Sequence, residues 1–387
     1  MRILCICLLS FGCFTACSNN LRTAHYTPWQ YAIGCEVWSP LSAQGHHIFF
    51  GCDDQRFYAF DTQLKAVTWQ FNTQGIIRSG SVVWGNRIAF VSDDGYLYSV
   101  DIATGQLAWK TAIDSTLKPR RIPALEAPYT YDYRSSTPVV ANNQLYVGSA
   151  DGRVLALDAE TGNIQWQFQT QGAVRADPLI SGETLFASSW DGNLYALSLE
   201  TGTQRWAFDT GGIIQGSPVY AAGKIVTGSR STKIFAIDAA SGKAVWDYKH
   251  PDDSWVDSSP IVHQQTVYFG SSDALSGFAF NIESGELLNK YLTGGWTWGK
   301  PVIVNDTLYL GAISAHPYYF EGVTLAQGFH AFNRHTGARI STNKSKPIQG
   351  YITGGFFAAP VVINNQLVVG GLDGVIYGLP LNEPESH

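Results

Sequence analysis

Charge is scarce in this chain: only 14% of its 387 residues are Asp, Glu, Lys or Arg, while 45% are hydrophobic. That balance excludes a disordered polypeptide, which lacks the apolar surface to offset its ordering entropy. The net charge of −6 offers no positive field for a phosphate backbone and so excludes general nucleic-acid binding. Cysteine is also sparse. Beyond Cys17 only Cys35 and Cys52 remain, with no Cys-x-x-Cys and no adjacent pair, so a thiolate zinc site or dithiol redox motif has no ligands. The run Ile3 to Phe14 is the apolar stretch of the leader and is too short to span a bilayer. No nucleophile-base-acid spacing, phosphate-cradling glycine loop or helical zinc motif is found, which leaves no metal ligand set and no catalytic residue to name. A single Met stands against Gly 39, Trp 12, Tyr 19 and Phe 20. Turn formers and aromatics at the expense of flexible straight-chain residues predict an all-β fold.

Residues 1–16 have the layout of an export signal: Arg2, an apolar core, then small residues. Phe14-Thr15-Ala16-Cys17 resembles a bacterial lipobox, with Phe where Leu is usual. The resemblance implies that Cys17 is lipidated and becomes the mature N-terminus, and Ser18 after it favours the outer membrane, facing the periplasm. Cleavage nearby to give a soluble periplasmic protein is the alternative. Residues 17–25 then form a tether, 26–381 the folded body and 382–387 a tail.

A repeat of about 40 residues organises that body. Ala156-Leu157-Asp158-Ala159-Glu160-Thr161-Gly162 runs on to Trp166, and the same grammar pairs Asp61 with Trp69, Asp101 with Trp109, Ser198 with Trp206 and Asp238 with Trp246. The first copy carries Leu64-Lys65 in place of the turn pair; Asn281 with Asn289 and Asn333 with Ser341 keep the frame without Trp. Each period holds four short alternating segments separated by turns, several of them Asp-Gly pairs such as Asp94-Gly95 and Asp191-Gly192. Four antiparallel strands per period predict one propeller blade. The eighth copy, from Ala359-Pro360 to Leu381, stops before its fourth strand, and the segment around Trp29 can supply it. The expected fold is an eight-bladed β-propeller of four-stranded antiparallel blades, closed by N- and C-terminal strands.

The tandem Ala-x-Asp-x-x-Thr-Gly-x-x-x-Trp resembles the tryptophan-docking motif of the pyrroloquinoline quinone (PQQ)-type β-propellers. That family includes dehydrogenases, sensor domains and scaffold lipoproteins of outer membrane protein assembly. The resemblance makes Trp29, Trp69, Trp109, Trp166, Trp206 and Trp246 structural. It implies a non-catalytic scaffold without cofactor, a monomer whose partners are envelope proteins, among them an outer membrane assembly complex. A PQQ-dependent oxidoreductase and a polysaccharide-binding propeller are the alternatives. Against the first stands the lack of a vicinal cysteine pair, although Asp257 and Arg175 imitate a base and a quinone-binding cation.

Propeller topology puts the blade lead-ins, together with the insertions Thr111 to Tyr133 and Ala312 to Gln327, on one face, here termed upper. Insertions confined to one face mark where function resides. Arg78, Arg134, Arg175, Gln215, Asp257 and Trp298 occupy comparable lead-in positions there, with Lys118, Arg120 and Arg121 nearby. The expectation is a rim of cations for acidic partner edges, whose charge reversal at Arg78, Arg134 and Arg175 leaves stability unchanged. His46-His47 falls on a lower turn and reads as a solvated hairpin. Cys35 and Cys52 fall at the same upper end of blade one, so they either pair as a disulfide or remain two free core thiols.

Overall fold

Every regular element of the computed structural model, which describes residues 27–115, 132–316 and 322–381, is a β-strand. The strands assemble into eight antiparallel sheets around a central channel. Blade 1 runs Ser42–Gln44, His47–Gly51, Arg56–Asp61 and Ala66–Asn72 from the channel outward, and the order repeats through blade 6. Blade 7 departs from it. Its second strand, Thr307–Ala315, runs on past the sheet and pairs at its upper end with Ile352–Gly355. Blade 8 contributes Val361–Ile363, Gln366–Gly370 and Val375–Pro380, and Trp29–Ala32 pairs with the last of these to complete the sheet. The ring is therefore closed by both ends of the folded chain, which removes the open seam that would otherwise expose two sheet edges.

The apolar core lies between blades. Val154 and Ala156 of blade 3 pack with Leu185, Ala187 and Leu197 of blade 4, and Phe50 and Phe60 of blade 1 pack with Val368 and Ile376 of blade 8. Second and third strands are apolar on both faces because each sheet is covered on both sides by its neighbours. Outer strands such as Ile164–Gln169 alternate exposed and half-buried residues.

The repeated turn explains the repeated tryptophan. Asp158 Oδ1 accepts hydrogen bonds from the Thr161 N–H and hydroxyl, both at 2.8 Å, and holds the turn. Those bonds keep its carboxyl below the usual carboxylate range. Gly162 follows with φ of 73°, and a Cβ there would lie 2.5 Å from the Trp109 ring. Trp109, from the preceding blade, lies on that glycine and donates its indole N–H to Ala159 O at 3.2 Å. Trp69, Trp166, Trp206 and Trp246 repeat the contact on Ile102, Leu199, Ala239 and Ile282. Trp29 differs. Blade 1 has Lys65 at the glycine position, and Trp29 donates instead to Gln366 Oε1 within its own blade at 2.9 Å and stacks on Phe60.

Cys35 and Cys52 form a disulfide with Cα atoms 5.9 Å apart, beside the joint of blades 8 and 1. It closes a loop of sequence separation 17, for which chain entropy predicts about 3 kcal/mol of stabilisation. The Cys35→Ala/Cys52→Ala variant should lose that amount in denaturant melts, and an unchanged midpoint would show that the bridge constrains nothing.

Candidate functional site

Two rings of side chains surround the upper channel. The first comes from the lead-ins. Aligning the Ser79 and Ser136 hydroxyls, which accept the backbone N–H of Val91 and Gly148, sets the register. The equivalent positions are then Trp38, Arg78, Ser135, Arg175, Gln215, Asp257, Trp298 and Phe357. The second ring comes from the hairpins between second and third strands and includes Asp93, Trp190 and Arg230. The rings meet in pairs, the hairpin of one blade against the lead-in of the next. Ser135 donates to Asp93 at 3.2 Å, Trp190 Nε1 to Gln215 Oε1 at 2.7 Å, and Arg230 grips Asp257 through Nε and Nη2 at 2.9–3.1 Å.

This arrangement corrects the expectation of an exposed cationic rim. Arg78 and Arg175 are 4% and 8% exposed, and Gln215, Asp257 and Trp298 are equally buried. Arg175 pairs with Asp132 at 2.6 Å, and Arg78 lies over the Trp38 ring. The cause is the lead-in geometry, which turns these side chains inward over the channel. Charge reversal there would bury uncompensated charge and is expected to destabilise the fold.

Arg134 is also corrected, in register. It matches Ile77 and Val174, one place before Arg78 and Arg175, because the insertion preceding blade 3 shifts the lead-in by a residue. Its guanidinium crosses the channel from blade 3 to the opposite side, donating to Asp257 O and Ser259 Oγ of blade 6 and to Trp298 O of blade 7, with Phe357 of blade 8 beneath it. Burial pulls the guanidinium below its ordinary pKa, opposed by the charges of Asp177 and Asp257. Around it Trp38 stacks on Tyr133 at 4.8 Å and Trp296 on Trp298 at 4.5 Å, a cluster continuous with Leu325 and Ile352 of the blade 7 extension. The channel is thus crossed by a cation and packed by aromatics. Cys17, Lys118, Arg120 and Arg121 lie outside the described residues.

Asp132, Tyr133 and Arg230 belong to the site and escape sequence reasoning. For Arg230 a signal existed: Arg230-Ser231-Thr232 stands where blades 2, 3, 4 and 8 carry an Asp-Gly turn.

The fold family implies PQQ with Ca²⁺, and the residues described here do not fit that pair. A quinone needs a flat slot between apolar walls, a cluster of oxygen donors for the cation and a base. Of the described carboxylates of the upper channel, Asp257 is committed to Arg230 and Asp132 to Arg175, and Asp93 accepts from Ser135. The Trp38, Tyr133 and Trp298 rings pack on one another rather than flanking a slot. The disulfide joins residues 17 apart within blade 1, at its joint with blade 8, and offers no vicinal pair.

The family model described as outer membrane protein assembly factor BamB matches residues 27–208 and 191–315. BamB of Yersinia pestis is 28% identical over 140 residues, covering 35% of this chain and 33% of that protein. The dehydrogenase subunit of the quinone alcohol dehydrogenase of Komagataeibacter europaeus is 31% identical over 100 residues, 24% of this chain and only 13% of that subunit. Among solved structures, BamB from Moraxella catarrhalis superposes with a TM-score of 0.68 at 18% identity, over 94% of this chain and 100% of that one. Quinohemoprotein alcohol dehydrogenase from Comamonas testosteroni also gives 0.68, at 14% identity, over 92% of this chain and 77% of that one. The structural likenesses show the shared propeller, and the match over residues 27–315 places the chain in the outer membrane protein assembly factor BamB family.

Proposed function

We propose that the protein is a non-catalytic scaffold that holds envelope proteins together during outer membrane protein assembly, as a monomer anchored through a lipidated Cys17 and facing the periplasm. The observation that carries this reading is the state of the upper channel. Asp132 and Asp257 are tied to Arg175 and Arg230, and Arg134 to backbone carbonyls, so none of these groups stands ready as an uncommitted acid or base. The described residues that bound the insertions, Ser115 and Asp132 in one case and the extended strand Thr307–Ala315 in the other, lie on that same face. The contact surface is therefore assigned to the insertions, Lys118, Arg120 and Arg121 included, rather than to the buried lead-in residues.

A photo-crosslinking residue at Ser115 or at Val323, which is 42% exposed, should yield adducts with components of the outer membrane assembly machinery. The same probe at Val245, on the perimeter, should yield none. Cys17→Ser should move the protein from the membrane to the soluble periplasmic fraction, because two or more acyl chains hold firmly where none cannot. Equal adducts from all three positions would sink the upper-face assignment, and a wild-type protein already soluble without detergent would sink the anchor.

The quinoprotein reading keeps one observation in its favour, the local identity to quinone-dependent alcohol dehydrogenases. Stoichiometric uptake of PQQ with Ca²⁺, together with reduction of an artificial acceptor by alcohols, would replace the scaffold reading with it. The polysaccharide reading loses its platform, since Trp38, Tyr133, Trp296 and Trp298 are buried against one another.

A further inference from the structure

Beneath Arg134 the channel widens into a cavity of about 440 Å³, within the size range of small-molecule sites. Arg134 and Phe357 form its upper end, and His263, beside the first hairpin of blade 6, lies towards the lower face. Its wall is built from the residues that open the inner strands. Most of these are small: Pro40, Gly80, Thr137, Ser259 and Ala359. Two are charged, Asp177 from blade 4 and Lys300 from blade 7, which stand three blades apart in a ring of eight and so on facing walls. Asp177 Oδ1 accepts the Thr137 N–H at 2.7 Å. Among the described residues its other oxygen has no hydrogen-bond partner and Lys300 forms no ion pair. The ring is otherwise joined by neutral bonds between successive blades, such as Ser217 N–H to Ser259 Oγ at 2.9 Å. An uncharged acceptor at position 177 would close the ring as well, and Lys300 takes no part in it, although the Asp177 charge also offsets that of the buried Arg134.

We propose that this lower cavity is a binding site for a small α-amino acid, which holds its carboxylate against Lys300 and its ammonium against Asp177. Opposed charges on facing walls match a zwitterion better than a simple anion, because the Asp177 carboxylate repels a ligand carrying only negative charge. The hydroxyls of Thr137 and Ser259 supply neutral partners between the two poles. A phosphate dianion is disfavoured by the same Asp177. Among the described lining residues only Phe357, at the upper end, and His263, towards the lower face, carry aromatic rings, which disfavours large planar ligands.

Calorimetric titration of the full mature protein with glycine, glutamate, glutarate and inorganic phosphate tests the proposal. Saturable binding is expected for at least one of the two amino acids and none for phosphate. Glutarate, which lacks the ammonium, should bind roughly tenfold or more weakly than glutamate, the loss of one charge-assisted hydrogen bond. Lys300→Gln, on an exposed side chain, should weaken amino-acid binding by about the same factor with the melting curve unchanged. Asp177→Asn preserves an acceptor for Thr137 and should weaken amino-acid binding likewise, with some loss of stability because the Asp177 charge also offsets that of the buried Arg134. Absence of saturable binding by both amino acids, equal affinity for glutarate, competition by phosphate, or a Lys300→Gln variant that binds as wild type would each overturn it. Crosslinking from Ser115 reports separately on the upper face, so failure of either reading leaves the other standing.

Discussion

Trp206→Ala is expected to lower stability by about 3–5 kcal/mol, the cost of deleting a large packed ring. The indole packs beside Phe186 and donates to Ala239 O at 3.1 Å, so the cavity opens between blades 4 and 5 and the Ala239 carbonyl loses a donor. The ring also lies on Gly242, where φ is 70° and a Cβ would sit 2.6 Å from the indole. Gly242→Ala alone therefore meets two penalties, the left-handed backbone, about 1–2 kcal/mol, and displacement of the ring. In the Trp206→Ala background the second vanishes. The double variant should be more stable than the sum of the single losses predicts, by the non-additivity expected of residues in direct contact. Denaturant midpoints of the four proteins decide the matter, and strict additivity would show that the indole does not dock on the glycine.

The second large effect is expected at Asp257. Its carboxylate and the Arg230 guanidinium are 3% and 6% exposed, joined by three hydrogen bonds, with Arg230 stacked 4.6 Å over Trp255. Removing one member of such a pair leaves a buried charge uncompensated, at about 3–5 kcal/mol. Asp257→Ala should lose that much. Arg230→Met combined with Asp257→Leu should recover most of it, because an apolar pair of similar volume has no charge to desolvate. A loss below 1 kcal/mol in the single variant would mean that the pair is solvated and that Asp257 is available as a base. The quinoprotein reading would then regain the residue it most needs.

The blades were legible because their signature is local. Asp158, Thr161, Gly162 and Trp166 lie within nine residues, and each performs in the structure a task that its type and spacing imply. Ring closure was legible by the same route, since the eighth copy lacked a strand that Trp29–Ala32 could supply. The channel was not. Arg134 and Arg175 look alike in sequence, yet one spans the channel and the other is paired with Asp132. What separates them is a one-residue shift behind an insertion, visible only once Ser79 and Ser136 are superposed. Burial was misjudged for a related reason. Arginine, glutamine and aspartate at loop positions read as exposed until partners from the neighbouring hairpin, Trp190 for Gln215 and Arg230 for Asp257, are known, and such contacts cross between repeats where no periodicity points.

The strand that completes blade 8 is made first and used last. At ribosomal rates of about 5–20 residues per second, Trp29–Ala32 waits roughly 20–70 s for Val375–Pro380 to emerge. Throughout that interval the molecule is a growing arc with an unmatched strand at one end and an unfinished sheet at the other. Two arcs on neighbouring ribosomes or translocons can exchange those ends, each finishing the other's eighth blade, to give a domain-swapped dimer with every native pairing intact. Late folding thus becomes a contest between self-closure and exchange, decided by how fast the last blade is delivered relative to how often two unfinished rings meet. Slowing synthesis over residues 361–380 should raise the dimer fraction.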